Sequence, residues 1–165
     1  MQKDAVDDIL DQWSEERPEL DTAALGVVIR IMALYRYFHR DAARALEPLG
    51  LELFEYDVLS ALRRQGAPFA LPATGLAKAT GLSTGAMTNR IDRLEDRGLV
   101  ERQADKEDRR SVIVRLTRAG RQAIDEAIQV RLDTAGTGLK DLSKSERKQL
   151  ADLLRIAMLG NRQAD

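Results

Sequence analysis

The chain has no cysteine among its 165 residues. That excludes disulfides, thiolate redox switches and cysteine-based metal sites. A single histidine, His39, gives no basis for a histidine metal centre. Aromatic side chains are scarce, with one Trp, three Tyr and three Phe, so aliphatic residues must fill most of any core. No apolar run approaches the roughly 20 residues that a membrane helix needs, because the longest, 23–29, is broken by Arg30. The opening stretch MQKDAVDDIL is acidic and has no apolar signal segment, so a cytoplasmic protein without membrane contact is expected. The sequence also lacks a nucleophile–base pair, a glycine-rich phosphate loop and any metal-ligand spacing. An enzyme is therefore not expected, nor is a cofactor.

What the chain does have is an uneven distribution of charge. The net charge of −1 conceals three blocks. Residues 1–57 carry 6 basic and 13 acidic groups, for a net −7. Residues 58–121 carry 13 basic and 7 acidic groups, for a net +6, and residues 122–165 carry 7 of each. Phosphate binding needs a local basic face, not a basic whole, and the middle block supplies one.

Apolar spacing predicts helices over 4–16, 22–46, 52–65, 73–80, 84–97, 118–133 and 143–159, with short strands at 69–71, 99–103 and 111–117. Pro18 and Pro48 close the first two helices. The helix over 22–46 is apolar across a wide arc that includes Leu25, Val28, Ile29, Met32 and Tyr35, as a subunit interface would require. In the third helix Leu51, Phe54, Val58, Leu59 and Leu62 are expected to face the core. Ser83 is a candidate N-cap, Gly98 a C-cap, and Ser143 with Glu146 a capping box. Residues 135–138 read as a glycine-containing gap between the last two helices.

The segment from Ser83 to Gly120 carries the chemistry. In its helix Met87, Ile91 and Leu94 fall at i, i+4 and i+7 and should face inward. Thr84, Gly85, Thr88, Asn89 and Asp92 then face outward. Small residues at a helix N-terminus allow close approach to a duplex, and Thr and Asn can bond base edges or phosphates. Ser83, Thr84, Gly85, Ala86, Thr88, Asn89, Arg90 and Arg93 are thus candidate DNA contacts. Two strands follow, joined by the charged tip ADKEDRR, whose Arg109 and Arg110 suit a narrow minor groove. Taken singly, the helix could be an ordinary surface helix and the tip a solvated turn. Their succession at this spacing is that of a winged helix-turn-helix.

The combination RLEDRGLVER, D-x-x-DRR and LT-x-AG closely resembles the winged-helix core of MarR-type transcriptional regulators, over about residues 51–125. The resemblance implies a mainly α (α+β) winged helix-turn-helix fold in a single MarR-type domain. Residues 1–48 and 122–165 would form dimerisation helices, and 51–121 the DNA-binding lobe. It implies a homodimer, most simply a repressor, that reads an inverted-repeat operator in double-stranded DNA with half-sites about one turn apart.

Trp13 on an extra N-terminal helix, together with Asp57, Arg90 and Arg109, resembles the urate-responsive branch of the family. That branch implies release from DNA by a small anionic effector, with purines and aromatic or aliphatic carboxylates all open. Each residue also has a plainer reading: Trp13 as a packing anchor, Asp57 as a solvent-facing carboxylate, Arg109 as a partner of Asp105. A winged helix used for protein–protein contact without DNA binding is the alternative function.

Overall fold

Asp4 starts the first helix, α1 (Ala5–Glu16), because its carboxylate accepts the otherwise unpaired N–H groups of Val6 and Asp7. The Asp7 side chain returns the bond to the Asp4 N–H, which completes a capping box. Helix α2 (Ala23–Leu46) follows. Its Arg30 bonds Asp4 at 2.9 and 3.0 Å and Asp7 at 2.7 Å, tying α2 to the start of α1. In the computed structural model, residues 2–105 and 111–161 are described. The chain divides into two compact units, Met1–Arg44 and Ala45–Asp165.

In the second unit a 3₁₀ turn (Glu47–Leu49) leads to α3 (Leu53–Arg63), β1 (Ala70–Pro72), α4 (Ala73–Thr80) and α5 (Thr84–Asp96). Strands β2 (Val100–Ala104) and β3 (Val112–Leu116) come next, then α6 (Arg118–Gly138) and α7 (Lys144–Asn161). The three strands form an antiparallel sheet in the order β1-β3-β2. Registers of Leu71 opposite Val114 and Val100 opposite Leu116 fix the pairing. Val100, Val114 and Leu116 turn to the core, where they meet Val58, Leu59 and Leu62 of α3, Leu76 of α4, and Ile124 of α6. Ile113 is only half-buried and Val112 is exposed. The mixed apolar pattern of β3 therefore resolves into one core face.

Two joints account for the sequence motifs around the sheet. After α5, Gly98 takes φ +67°, a left-handed conformation that favours glycine. The Leu99 N–H then returns to the Leu94 carbonyl and the Gly98 N–H to the Glu95 carbonyl. This is a Schellman stop, and it turns the chain into β2. After β3, Thr117 caps α6 by accepting the Gly120 N–H at 3.0 Å, and its hydroxyl donates to the Gly98 carbonyl at 2.7 Å. Gly120 lies so close to Leu99 that a Cβ there would sit 1.9 Å from the Leu99 carbonyl oxygen.

Two expectations are corrected. Helix α6 does not end at Asp133; it runs through 135–138 to Gly138. The hydroxyls of Thr134 and Thr137 bond back to the Val130 and Asp133 carbonyls, so the glycine-containing stretch read as a gap stays within the helix. Phe54 is half-buried and takes no part in the core cluster; its ring faces arginines of α5 instead. No described helix is long and apolar enough to cross a membrane.

Candidate nucleic-acid interface

Ser83 begins α5 in extended backbone, with its hydroxyl accepting the Ala86 N–H at 3.3 Å. Met87, Ile91 and Leu94 are buried in the core, as their spacing predicts. That phase leaves Thr84, Gly85, Thr88, Asn89 and Asp92 exposed on the opposite side, with Ala86 half-buried at the edge. Nothing lies within 4 Å of a Cβ built on Gly85. The first turn of α5 therefore presents small polar groups and unpaired helix N–H groups to open space, a surface that a phosphate or base edge can approach closely.

The two arginines of this helix are ordered by α3. The Arg90 guanidinium carbon lies 5.0 Å from the centre of the Phe54 ring, and that of Arg93 lies 4.7 Å from it. Arg93 also bonds Glu52 at 2.5 Å. Arg102 of β2 bonds both Asp92 and Glu95 of α5, and its own N–H donates to Glu95 at 3.0 Å. Burial opposes the charge on Arg102, but the two carboxylates together hold its pKa above the ordinary arginine value. The β2–β3 ribbon is thereby fastened to α5 at its base. It continues to Ala104 opposite Val112, with the Asp105 N–H on the Ser111 carbonyl. Arg109 and Arg110 lie outside the described residues.

The expected effector residues stand in different surroundings. Trp13 belongs to α1 in the first unit and is 44% exposed, beside Gln12 and Glu16. Its ring is not a buried anchor of that unit. Asp57, on α3 in the second unit, faces a polar cavity of about 280 Å³ that also takes in Tyr56, Ser60, Arg64 and Thr80. Arg90 lies over the ring of Phe54, one turn from Asp57 along α3.

The sequence is 32% identical over 149 residues to the HTH-type transcriptional regulator PecS of Dickeya dadantii, an alignment covering 90% of each chain. A model of the MarR family matches residues 49–111. The chain belongs to the MarR family. Its fold is similar to that of a mutant MarR from E. coli complexed with operator DNA, at 27% identity and a TM-score of 0.71, over 88% of this chain and 96% of that one. It is also similar to Bordetella bronchiseptica BpsR, at 27% identity and a TM-score of 0.64, over 78% and 98% of the two chains. That structure concerns the regulation of BpsR DNA binding by 6-hydroxynicotinic acid. This MarR-family protein is accordingly a DNA-binding transcriptional regulator with a winged helix-turn-helix fold, and not an enzyme.

Several residues that order α5 and its neighbours carry little signal in the sequence of this MarR-family chain. Arg102 joins β2 to α5. Glu55 is buried, accepts the Glu52 N–H at 2.9 Å and pairs with Arg97 at 2.5 Å. Arg97 also donates to the Gly50 carbonyl at 2.9 Å, which fixes the end of α5 to the start of α3. The one hint was the Glu52–Glu55 spacing, which is that of a capping box.

Proposed function

We propose that the protein is a cytoplasmic, homodimeric repressor that reads an inverted-repeat operator and is released by a small anionic effector. The observation that carries this reading is the exposed first turn of α5, with Thr84, Gly85, Thr88 and Asn89 outward over a buried Met87, Ile91 and Leu94. In this reading Ser83, Thr84, Gly85, Ala86, Thr88 and Asn89 approach the major groove. Arg90 and Arg93 take backbone phosphates, and Arg109 and Arg110 enter the minor groove.

Residues 1–48 and 122–165 make the dimer and 51–121 is the reading lobe. Support for a dimer comes from exposed apolar residues on α2 (Val28, Met32, Tyr35) and on α7 (Leu153, Ile156, Met158), more than single scattered positions would explain. Two lobes related by a two-fold axis then match the symmetry of a palindromic operator.

The proposed effector is urate-like, a purine or an aromatic carboxylate, with Trp13, Asp57, Arg90 and Arg109 as the residues that respond to it. Arg90 and Arg109 would serve DNA in one state and the anion in the other, so the effector acts through its differential affinity for the two states. The regulation of BpsR by 6-hydroxynicotinic acid, an aromatic acid, supports that class of effector.

A duplex-binding titration against salt tests the DNA role, with a steep negative slope of log K against log salt expected. Adding urate, other purines, salicylate and 6-hydroxynicotinic acid in turn tests the effector role. At least one should weaken DNA binding and raise the melting midpoint, and Trp13→Ala or Asp57→Ala should blunt that response while DNA binding persists. A normal response in both variants removes those two residues from the effector site.

A further inference from the structure

We infer that Phe54 is a positioning residue for DNA binding, a ring that holds Arg90 and Arg93 of the recognition helix ready to meet phosphates. The inference rests on the reading of those two arginines as phosphate contacts. Phe54 lies at the edge of the α3 apolar stripe, yet it is absent from the core that Val58, Leu59 and Leu62 build. An aromatic residue is thus kept at a position where it fills no core space. What it does touch is two cations, with guanidinium carbons 5.0 and 4.7 Å from its centre.

The chemistry of that contact explains its use. A guanidinium stacks on a ring through its flat face, and its N–H donors radiate from the edge. Contact with the ring therefore restrains the side chain without consuming the donors that a phosphate accepts. Among the described residues Arg90 makes no hydrogen bond or ion pair, so its donors stay open while its position is set. Arg93 is held at one further point by Glu52. Both long side chains would otherwise lose considerable rotamer freedom on binding DNA, and part of that cost is met in advance by the ring. Phe54 thus holds the two α5 cations against α3, so any displacement of α3 bears on both arginines together.

The test compares the full-length protein with Phe54→Leu, Phe54→Trp and Arg90→Ala/Arg93→Ala. The probe is mixed-sequence duplex DNA, because phosphate contacts do not depend on sequence. Each variant is titrated at several salt concentrations, and its melting midpoint is measured. Arg90→Ala/Arg93→Ala should flatten the slope of log K against log salt by about 0.9 for each phosphate that is no longer neutralised. Phe54→Leu keeps an apolar side chain outside the core, so its midpoint should stay near that of the parent. Its affinity should fall roughly fivefold at an unchanged slope, because both arginines still neutralise their phosphates once bound, and Phe54→Trp should restore the affinity.

If the double arginine variant leaves the slope unchanged, the arginines are not phosphate contacts and the inference falls with that reading. If that variant flattens the slope but Phe54→Leu keeps the parent's affinity, the arginines work without the ring and only the role of Phe54 is overturned. A Phe54→Leu protein that loses its melting transition, or that Phe54→Trp fails to rescue, assigns the ring to stability and likewise overturns it.

Discussion

The Arg102 backbone N–H and its guanidinium both donate to the carboxylate of Glu95, so one side chain joins β2 to α5. Asp92 takes the other edge of the same guanidinium. The two carboxylates stand three residues apart, on one face of the helix, at the spacing a planar fork can bridge. The wing thus leaves its root at an angle set by the recognition helix. Arg102→Ala should lower stability by only about 1 kcal/mol, because the partners are part-exposed. It should weaken DNA binding several-fold, since the wing would no longer be fixed relative to α5. Arg102→Lys cannot span both carboxylates and should show a similar loss of affinity. Binding titrations beside a denaturation curve separate the two effects; equal affinity in all three proteins would mean the joint does not set the wing.

A second joint behaves differently because its acid is buried. Glu55 has one charge-bearing partner in Arg97, and the backbone N–H of Glu52 supplies the other bond. Arg97→Ala should therefore cost about 2 kcal/mol, more than a surface pair would, by stranding a buried carboxylate. Replacing both partners, as in Arg97→Ala with Glu55→Leu, should recover part of that loss because no buried charge remains. Urea denaturation of the single and double variants measures the difference. A double variant less stable than Arg97→Ala would show that the carboxylate is not the source of the penalty.

What was legible in the sequence is what local periodicity controls. Met87, Ile91 and Leu94 repeat at helical spacing with polar residues between them, and that alone fixed both the buried and the exposed face of α5. The capping signals at Ser83 and Ser143 are equally local, and both caps form. Phe54 was misread because a residue at the edge of an apolar stripe is placed by the helix packed against it, not by its own register. Arg102, Glu55 and Arg97 were missed for a related reason: their ion-pair partners lie between 7 and 42 residues away in sequence. The end of α6 was set too early because Gly136 and two threonines favour turns. Threonine hydroxyls that return to helix carbonyls remove that preference.

Gly120 gives the sharpest steric prediction. Its place in the LT-x-AG motif is not explained by φ, which requires no glycine there, but by the Leu99 carbonyl pressed against it. A methyl group 1.9 Å from a backbone oxygen cannot be accommodated by turning a side chain. The start of α6 and the turn after α5 would have to separate, which also breaks the Thr117 bond to Gly98. Gly120→Ala should therefore lower stability by about 3 kcal/mol or more, despite alanine's better helix propensity. Chemical denaturation would reveal it, and a stable Gly120→Ala protein would show that the two segments separate at little cost.

The pairing of Asp4 with Arg30 predicts a pH dependence in the first unit. Arg30 holds the Asp4 carboxyl below its usual range, helped by the N–H groups of Asp7 and Val6 and opposed by partial loss of water. A carboxylate whose native pKa is depressed contributes stability that is fully present above its unfolded value, about 3.9. That contribution fades as pH falls through the lower native value. Asp4→Asn isolates the charge, because asparagine caps a helix about as well as aspartate. The variant should melt below the parent at pH 7, by a modest margin, since Asp7 keeps its own bond to Arg30. The margin should hold down to about pH 4 and then close as the parent's Asp4 becomes protonated. Asp4→Ala should melt lower than Asp4→Asn at every pH, because it loses the cap as well. Thermal melts of the three proteins between neutral and acid pH decide the matter. A gap between parent and Asp4→Asn that stays constant on acidification would place its origin in the cap and not in the ion pair.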